Sequence, residues 1–313
     1  MTRRDTTART AFPTLRSNRL LGAGVVLVVI LVLLALIAPL LTSGRLLHEP
    51  IQQDAQGLDN DGMPRPPGAG YLLGTDNLGR DVLARVIHAA RVSLPLAMGA
   101  ILTATVVGGF VGLLAGYFGG QLDFALMRFT ELNLTIPAIL LAVAFAGLMD
   151  GRIVHLHPTT QPWHWLDIEL KRGVVSLFLL IGFVCWPGMV RVIRAEVSSL
   201  KEREFVTASR ALGASNRQLI FRHILPNLLP TVIVLAVMNT GNAILLEAGL
   251  GYLGIGVPPP APTWGSMIND GQPYFISSPH IVIVPGLAIV VTVLAFNLLG
   301  QGLQEMLDPK QRR

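Results

Sequence analysis

The sequence predicts an all-α, polytopic membrane protein with about six transmembrane helices and both termini on the cytoplasmic side. Three observations carry that expectation. Of 313 residues, 51% are hydrophobic and only 14% charged, so with a mean hydropathy of +0.57 the chain lacks the charged exterior a soluble core of this size requires. Charge-free apolar runs of about 20 residues, the length at which a helix crosses a bilayer core, recur along it. The bases are also unevenly placed. With the N-terminus inside, Arg3, Arg4, Arg9, Arg16, Arg19, Arg128, the cluster from Arg191 to Arg222, Lys310, Arg312 and Arg313 fall on the cytoplasmic side, which is the positive-inside asymmetry. The first outer loop, with Arg45, Arg65, Arg80, Arg85 and Arg91, is its weak point. With the bases so placed, the net charge of +5 reads as topology beside membrane lipid, with no nucleic acid implied. Disorder is excluded by the apolar content, and a disulfide scaffold by Cys185 being the sole cysteine.

Residues 1–19 read as a cytoplasmic N-terminal tail and 20–42 as the first transmembrane helix. The apolar run Leu20 to Leu41 exceeds a signal-peptide core and no A-x-A site closes it, so it is expected to stay as an anchor. Residues 43–91 form an extracytoplasmic loop. Its Pro-, Gly- and Asp-rich part, Thr42 to Tyr71, predicts irregular chain, whereas Leu78, Val82, Val86 and Ala89 recur at helical spacing and predict a helix lying in the membrane interface, capped by Asp76. The alternative is a plain leader turn into the second span. Residues 92–308 carry the remaining spans, Val92–Tyr117, Phe124–Met149, Val174–Ile193, Leu228–Gly256 and Ile281–Leu303, and 309–313 form a cytoplasmic tail. Gly108, Gly112, Gly116 and Gly120 stand every fourth residue, a single helix face on which another backbone can approach closely, in this chain or in a partner.

The cytoplasmic segment 194–226 is the most informative. Ser199 with Glu202, and Ser215 with Gln218, read as capping boxes. Gly213 between them predicts a helix end, and Pro226 the end of the next helix. The result, a helix, a glycine break and a helix, is too polar for lipid and too short for a core of its own. Phe205, Ala208 and Leu212 make a narrow apolar ridge on the first helix, suited to a groove on a soluble partner or to the inner leaflet.

This segment, FVTASRALGASNRQLIFRHILPN, resembles the cytoplasmic loop motif of ABC importer permeases, in which E-A-A precedes a glycine and I-x-L-P closes the loop. Thr207, Ala208 and Ser209 stand at the E-A-A positions, Gly213 at the glycine, and Leu225 and Pro226 at the closing pair. Thr207 replaces the glutamate, Ser209 the second alanine, and His223 the isoleucine, with Ile224 one later. A second segment, LLGTDNLGRDVLARVIHAARVSL, is similar to the G-T-D-x-x-G-R-D signature of the C-type subunits of dipeptide, oligopeptide and nickel importers, through Gly74, Thr75, Asp76, Gly79, Arg80 and Asp81. GGQLDFALMRFTE and LLEAGLGYLGIGVPPPAPTWGSMINDG resemble further parts of the same subunits. The resemblance implies a type I importer permease fold, a homologous B-type permease subunit, two ABC ATPase subunits on the inner side, and an extracytoplasmic solute-binding protein outside. It also implies alternating access for peptides or a related small solute, a nickel chelate being the alternative within the family. No GK dipeptide occurs, so the phosphate-binding loop is absent. The chain is expected to be a non-catalytic subunit with no cofactor of its own, ATP and Mg being bound by the partner ATPases.

Gly249, Gly251 and Gly254 spell G-x-G-x-x-G but follow no strand, which leaves helix packing or a helix break. Glu247, ionisable within a span, marks the translocation path or a subunit contact. Arg128 and Glu131 read as a local ion pair. His155, His157 and His164, with Trp163, Trp165 and Asp167, have irregular spacing for a metal, so no metal site is expected and the tryptophans read as an interfacial belt. Trp264 reads either as part of that belt or, as the resemblance implies, as lying on the face that receives the binding protein. Two readings from other classes remain. A membrane-embedded enzyme would pair Glu247 with a histidine as acid and base; an ion-driven secondary transporter would need buried carboxylates that the other spans lack.

Overall fold

In the computed structural model, residues 18–43, 47–68, 70–149, 154–156, 168–170 and 174–307 are described. Ten helices carry them: α1 (Arg19–Ser43), α2 (Val82–Phe118), α3 (Gly120–Thr135), α4 (Ala138–Met149), α5 (Val174–Leu200), α6 (Glu204–Ala211), α7 (Asn216–Gln218), α8 (Leu225–Tyr252), α9 (Trp264–Gly271) and α10 (His280–Leu307). Two short antiparallel strands, Val154–Leu156 and Ile168–Leu170, add the one departure from all-α architecture among these residues. Five helices are long and apolar enough to span a bilayer, and a sixth span exists if α3 and α4 are counted together.

That third span is not the straight helix the apolar run predicts. α3 and α4 meet at 88°. Pro137 disfavours helical geometry in the residue before it, and Ile136 is extended, with φ −88° and ψ 125°.

The interfacial helix expected before the second span is not a separate element either. α2 starts at Val82 and runs unbroken into the span. At about 1.5 Å per residue its 37 residues far exceed the bilayer core. Its cap is Asp81, which accepts from Leu83 N and Ala84 N, not Asp76. The described residues before it are irregular as predicted, with a short 3₁₀ turn at Ala55–Gly57 and isolated β-bridges such as Leu58 with Pro64.

The core lies between α2, α5 and α8. Ala97, Ala100, Ala104, Ile181, Val190, Ile193 and Ile244 are fully buried, while α1 turns Val29, Ile30, Leu33, Leu36 and Leu40 outward, as a helix bathed in acyl chains does. The glycine stripe explains the α2–α5 contact. A Cβ at Gly108 would lie 2.7 Å from Met189 Cβ and 2.8 Å from Trp186 O, and at Gly116 2.7 Å from Arg194 O. Gly112 is seated against Ile193 in the same way. The neighbour is thus in this chain. Gly120 does not belong to the stripe; it faces open space with φ +59° at the turn into α3. At the periphery α1 lies on α10 through Gly24 and Gly302, where the opposing atoms are backbone of Leu299 and Leu21.

Because the atom facing Gly108 is a backbone oxygen that cannot swing aside, Gly108→Ala is expected to cost about 1–3 kcal/mol of overpacking. Gly109→Ala, whose Cβ would meet only Ile193 Cδ1 at 3.9 Å, is expected to be neutral. Unfolding midpoints of the two detergent-purified variants check this; equal midpoints would contradict the packing argument.

Candidate functional site

Two regions gather the residues singled out by the sequence, one at each end of the bundle. On the inner side, α5 leaves the span and turns at Lys201–Arg203 into α6. The Ser199–Glu202 capping box does not form, because α5 continues to Leu200 and takes Ser199 into its last turn. α6 instead starts at Arg203 without a side-chain cap, with Glu204 in the first turn, where a carboxylate favours the helix N-terminus.

The glycine break forms as predicted. Gly213 has φ +88°, its N–H reaches Arg210 O at 3.0 Å, and Ala214 N–H reaches Ser209 O at 3.1 Å. This is a Schellman ending. The second capping box is complete: Ser215 Oγ accepts from Gln218 N, and Gln218 Oε1 accepts from Ser215 N at 2.8 Å.

Pro226, however, does not end a helix. Between α7 and α8 the residues Leu219–Ile224 form a π-helical segment, and Leu225 N–H bonds back to Ile220 O. The wider turn carries the chain past the proline, which has no N–H, so Asn216–Tyr252 is one helix of 37 residues.

The elbow is anchored from within and bare outside. Val206, Leu219 and Ile224 are fully buried, Tyr117 Oη donates to Asn216 Oδ1 at 2.7 Å, and Lys201 Nζ donates to Gly116 O at 2.9 Å. Arg194 pairs with Asp123 across α5 and α3, and the Phe205 and His223 rings lie 6.2 Å apart. The hydroxyls of Thr207 and Ser209 are spent on their own helix, donating to Glu204 O and Phe205 O. Phe205, Ala208 and Leu212 are exposed, Leu212 to 89%. The ridge is thus an exposed apolar strip on an internally satisfied mount.

On the outer side, the Gly74–Asp81 signature is the hub of a buried knot. Thr75, Asp76, Arg80, Asp81 and Arg85 are all buried. Asp76 Oδ1 accepts from Leu78 N and Arg80 N, each at 2.9 Å, while its Oδ2 pairs with Arg80 Nε at 2.7 Å and with Arg85 Nη1. Thr75 ties three strands of chain together: its N–H donates to Arg65 O, its hydroxyl to Gly57 O, and its carbonyl faces His280 Nε2 at 3.0 Å. Gly74 and Gly79 have φ +77° and +74°. A Cβ at Gly79 would sit 1.9 Å from Asp54 O, so only glycine fits. Tyr71 Oη donates to Asp54 Oδ2 at 2.8 Å. That bond holds the Asp54 carboxyl below its usual range, and burial, with the same bond, pushes the Tyr71 phenol up to about 12.

The remaining residues fall as follows. Glu247 is 1% exposed, beside the hydroxyls of Ser93 and Thr263 rather than a histidine, and neither carboxylate oxygen completes a hydrogen bond of normal geometry. Trp264, expected at the outer surface, is buried; its indole N–H donates to Val86 O at 3.1 Å and clips α9 to α2. Any partner on that face meets its neighbours instead. Gly249 and Gly251 lie in the last turn of α8 and Gly254 (φ +76°) ends the helix, a helix break as read. Arg128 and Glu131 pair at 3.8 Å on the surface. The side chains of the His155, His157, His164, Trp163, Trp165 and Asp167 group lie outside the described residues, as do Arg3, Arg4, Arg9 and Arg16.

Three participants escaped the sequence reading: Arg85, Asp270 and Asp123, each paired with a residue far off in the chain. One signal was present. The bases that break the positive-inside pattern include Arg80 and Arg85, and both are buried against Asp76 rather than facing lipid headgroups.

Comparison with known proteins bears on both ends of the bundle. Residues 108–313 match the family described as binding-protein-dependent transport system inner membrane component, and residues 6–67 match the N-terminal TM domain of oligopeptide transport permease C. The chain is 36% identical to the dipeptide transport system permease protein DppC of Alkalihalophilus pseudofirmus over 97% of its own length and 90% of that protein's. It is 30% identical to the oligopeptide transport system permease protein OppC of Bacillus subtilis over 95% and 88%. Among solved structures, the inward-facing MetNI methionine ABC transporter matches with a TM-score of 0.54 at 17% identity, covering 72% of this chain and 98% of that one, a likeness of fold. With the multi-span bundle and the exposed inner elbow in place, these matches show that the chain belongs to the family of binding-protein-dependent transport system inner membrane components.

Proposed function

We propose that this chain is one half of the translocation path of an ATP-driven importer for di- and oligopeptides or a related small solute. In this reading it pairs with a homologous B-type permease subunit, receives solute from an extracytoplasmic binding protein, and performs no catalysis itself. ATP and Mg reside in two partner ATPases. The observation that carries the reading is the inner elbow: an exposed apolar ridge on α6, held by buried anchors and joined through α7 to a helix that crosses the membrane. The names of the relatives support peptide as solute.

Docking of α6 on an ATPase would let nucleotide-driven closure move α7 and α8 and so change which side of the path is open. Thr207 and Ser209 make no charge available for docking, so the contact rests on Phe205, Ala208 and Leu212. Leu212→Cys, at the most exposed point of the ridge, is labelled with a maleimide–benzophenone and is expected on irradiation in cell membranes to crosslink to a P-loop ATPase. Recovery of lipid adducts alone would overturn the assignment.

A further inference from the structure

α8 buries one side and leaves another open. Ala243, Ile244, Glu247 and Leu250 are buried, whereas Thr231, Met238, Asn242, Leu245 and Gly249, at helical spacing along another face, are half-buried or exposed. Asn239 lies midway between Pro226 and Tyr252, about 20 Å from each at about 1.5 Å per residue. It and Asn242 therefore fall at the depth of the bilayer core. Their amides are tied in series: Asn239 Nδ2 donates to Leu235 O at 2.8 Å, and Asn242 Nδ2 to Asn239 Oδ1 at 3.3 Å. Asn242 Oδ1, at the end of the series, accepts nothing among the described residues.

α10 carries a second polar row against this one. Asn297 and Gln304 stand about two turns apart, with Asn297 Oδ1 3.8 Å from a Cβ placed at Gly241. Toward the inner ends of α5, α8 and α10 a groove of about 410 Å³ is lined by Val192, Thr231, Leu235, Met238 and Gln304. The side chains of Thr231, Asn297 and Gln304 make no hydrogen bond among the described residues, and their polar atoms remain accessible. A partnerless amide or hydroxyl is costly in hydrocarbon, so these rows do not face acyl chains. Nor does the groove suit a helix of a second subunit. A helix with its side chains is about 10–12 Å across, whereas 410 Å³ is a cube of about 7 Å edge. That volume lies among small-molecule pockets, about 300–1,000 Å³. Neither the groove nor the open face of α8 carries a charge, so what they recognise is neutral donors and acceptors. A peptide main chain supplies both at every residue, whatever its side chains.

We propose that the open face of α8, with Asn297 and Gln304 of α10, is this chain's wall of the translocation path and takes the main chain of a peptide through neutral hydrogen bonds. Asn242 Oδ1 accepts from a peptide N–H at mid-membrane, and Thr231 and Gln304 meet the next amides in the inner groove. The inference rests on the reading of the chain as a peptide permease and names the surface that the solute passes.

Two measurements on the assembled importer test it. In a Cys185→Ser background, inverted membrane vesicles are treated with a water-soluble methanethiosulfonate, which attacks thiolates and so needs water at the site. Thr231→Cys and Asn242→Cys are expected to react about tenfold or more faster than Ile233→Cys, which is exposed on a different face. Labelling of Asn242→Cys as slow as that of Ile233→Cys would overturn the proposal and assign the face to lipid or to a second subunit. ATP-driven uptake is then compared for two tripeptides, alanine at both ends and lysine or glutamate between. A charge on a wall that the solute passes must sort them. Asn242→Asp is expected to raise the lysine-to-glutamate uptake ratio about tenfold over wild type, and Asn242→Lys to lower it by a similar factor. A ratio that stays put in both variants, or moves the same way in both, would overturn the assignment. Where a charged variant fails to reach the membrane, the thiol rates decide. No uptake of either tripeptide by the wild-type importer would overturn the parent reading and the solute named here, with the thiol rates still judging whether the face is wetted.

Discussion

Asp76→Ala is expected to remove about 3–5 kcal/mol, the cost of stripping the partner from a buried ion pair. Two guanidiniums lose their common counter-ion in that variant, and Asp270, at 3.4–3.5 Å and partly in water, cannot replace it. Leu78 N and Arg80 N also lose their acceptor. The knot that seats residues 47–81 on α2 and α10 should open, and the protein should reach the membrane in much reduced amount. Asp76→Asn isolates the charge, since an amide oxygen still accepts from both N–H groups; its loss should be smaller. Thermal unfolding of the detergent-purified chains, with membrane yields alongside, reads the order wild type, Asn, Ala. An Ala variant as stable as wild type would mean that the arginines find other partners and that the knot is not held by this carboxylate.

Gly213→Leu is expected to act in the opposite way, sparing assembly and abolishing transport. No atom lies within 4 Å of a Cβ placed there, so the substitution clashes with nothing. What it breaks is the backbone conformation: φ +88° costs an L-residue about 1–2 kcal/mol, and the Schellman bonds through Gly213 N and Ala214 N relax with it. The span is unaffected, but the angle between α6 and α7 changes. Normal membrane levels with ATP-dependent uptake reduced about tenfold or more are the expected outcome, on the geometric sensitivity of positioned groups. Unchanged uptake would remove the elbow from the mechanism.

Much of this architecture was legible in the sequence, because the bilayer imposes a composition that local spacing reveals. Apolar runs gave the spans, and the charge asymmetry their orientation. The four-residue glycine spacing gave the α2–α5 face, and Gly213 with Ser215 and Gln218 gave the elbow. The misreadings share a cause. Ser199, Pro226 and Asp76 each carry a valid local signal for a helix end or start, yet α5 and α8 run through the first two, and α2 takes Asp81 as its cap instead of the third. Long-range contacts decided those cases. The outer knot was hidden for the same reason: Asp270 meets Arg80 and Arg85 from the far side of four spans, and no periodicity joins them. Pro137 was the opposite case, a plain local breaker passed over inside an apolar run, and it bends the third span by 88°.

The unbroken run from Asn216 to Tyr252 has a mechanical corollary. At about 1.5 Å per residue it is a rod of about 55 Å, so a pivot of about 5° at its cytoplasmic foot would sweep its opposite tip sideways by roughly 5 Å. Leverage of that kind delivers at the outer rim, where α9 and Asp270 sit, a stroke wider than the push that began it.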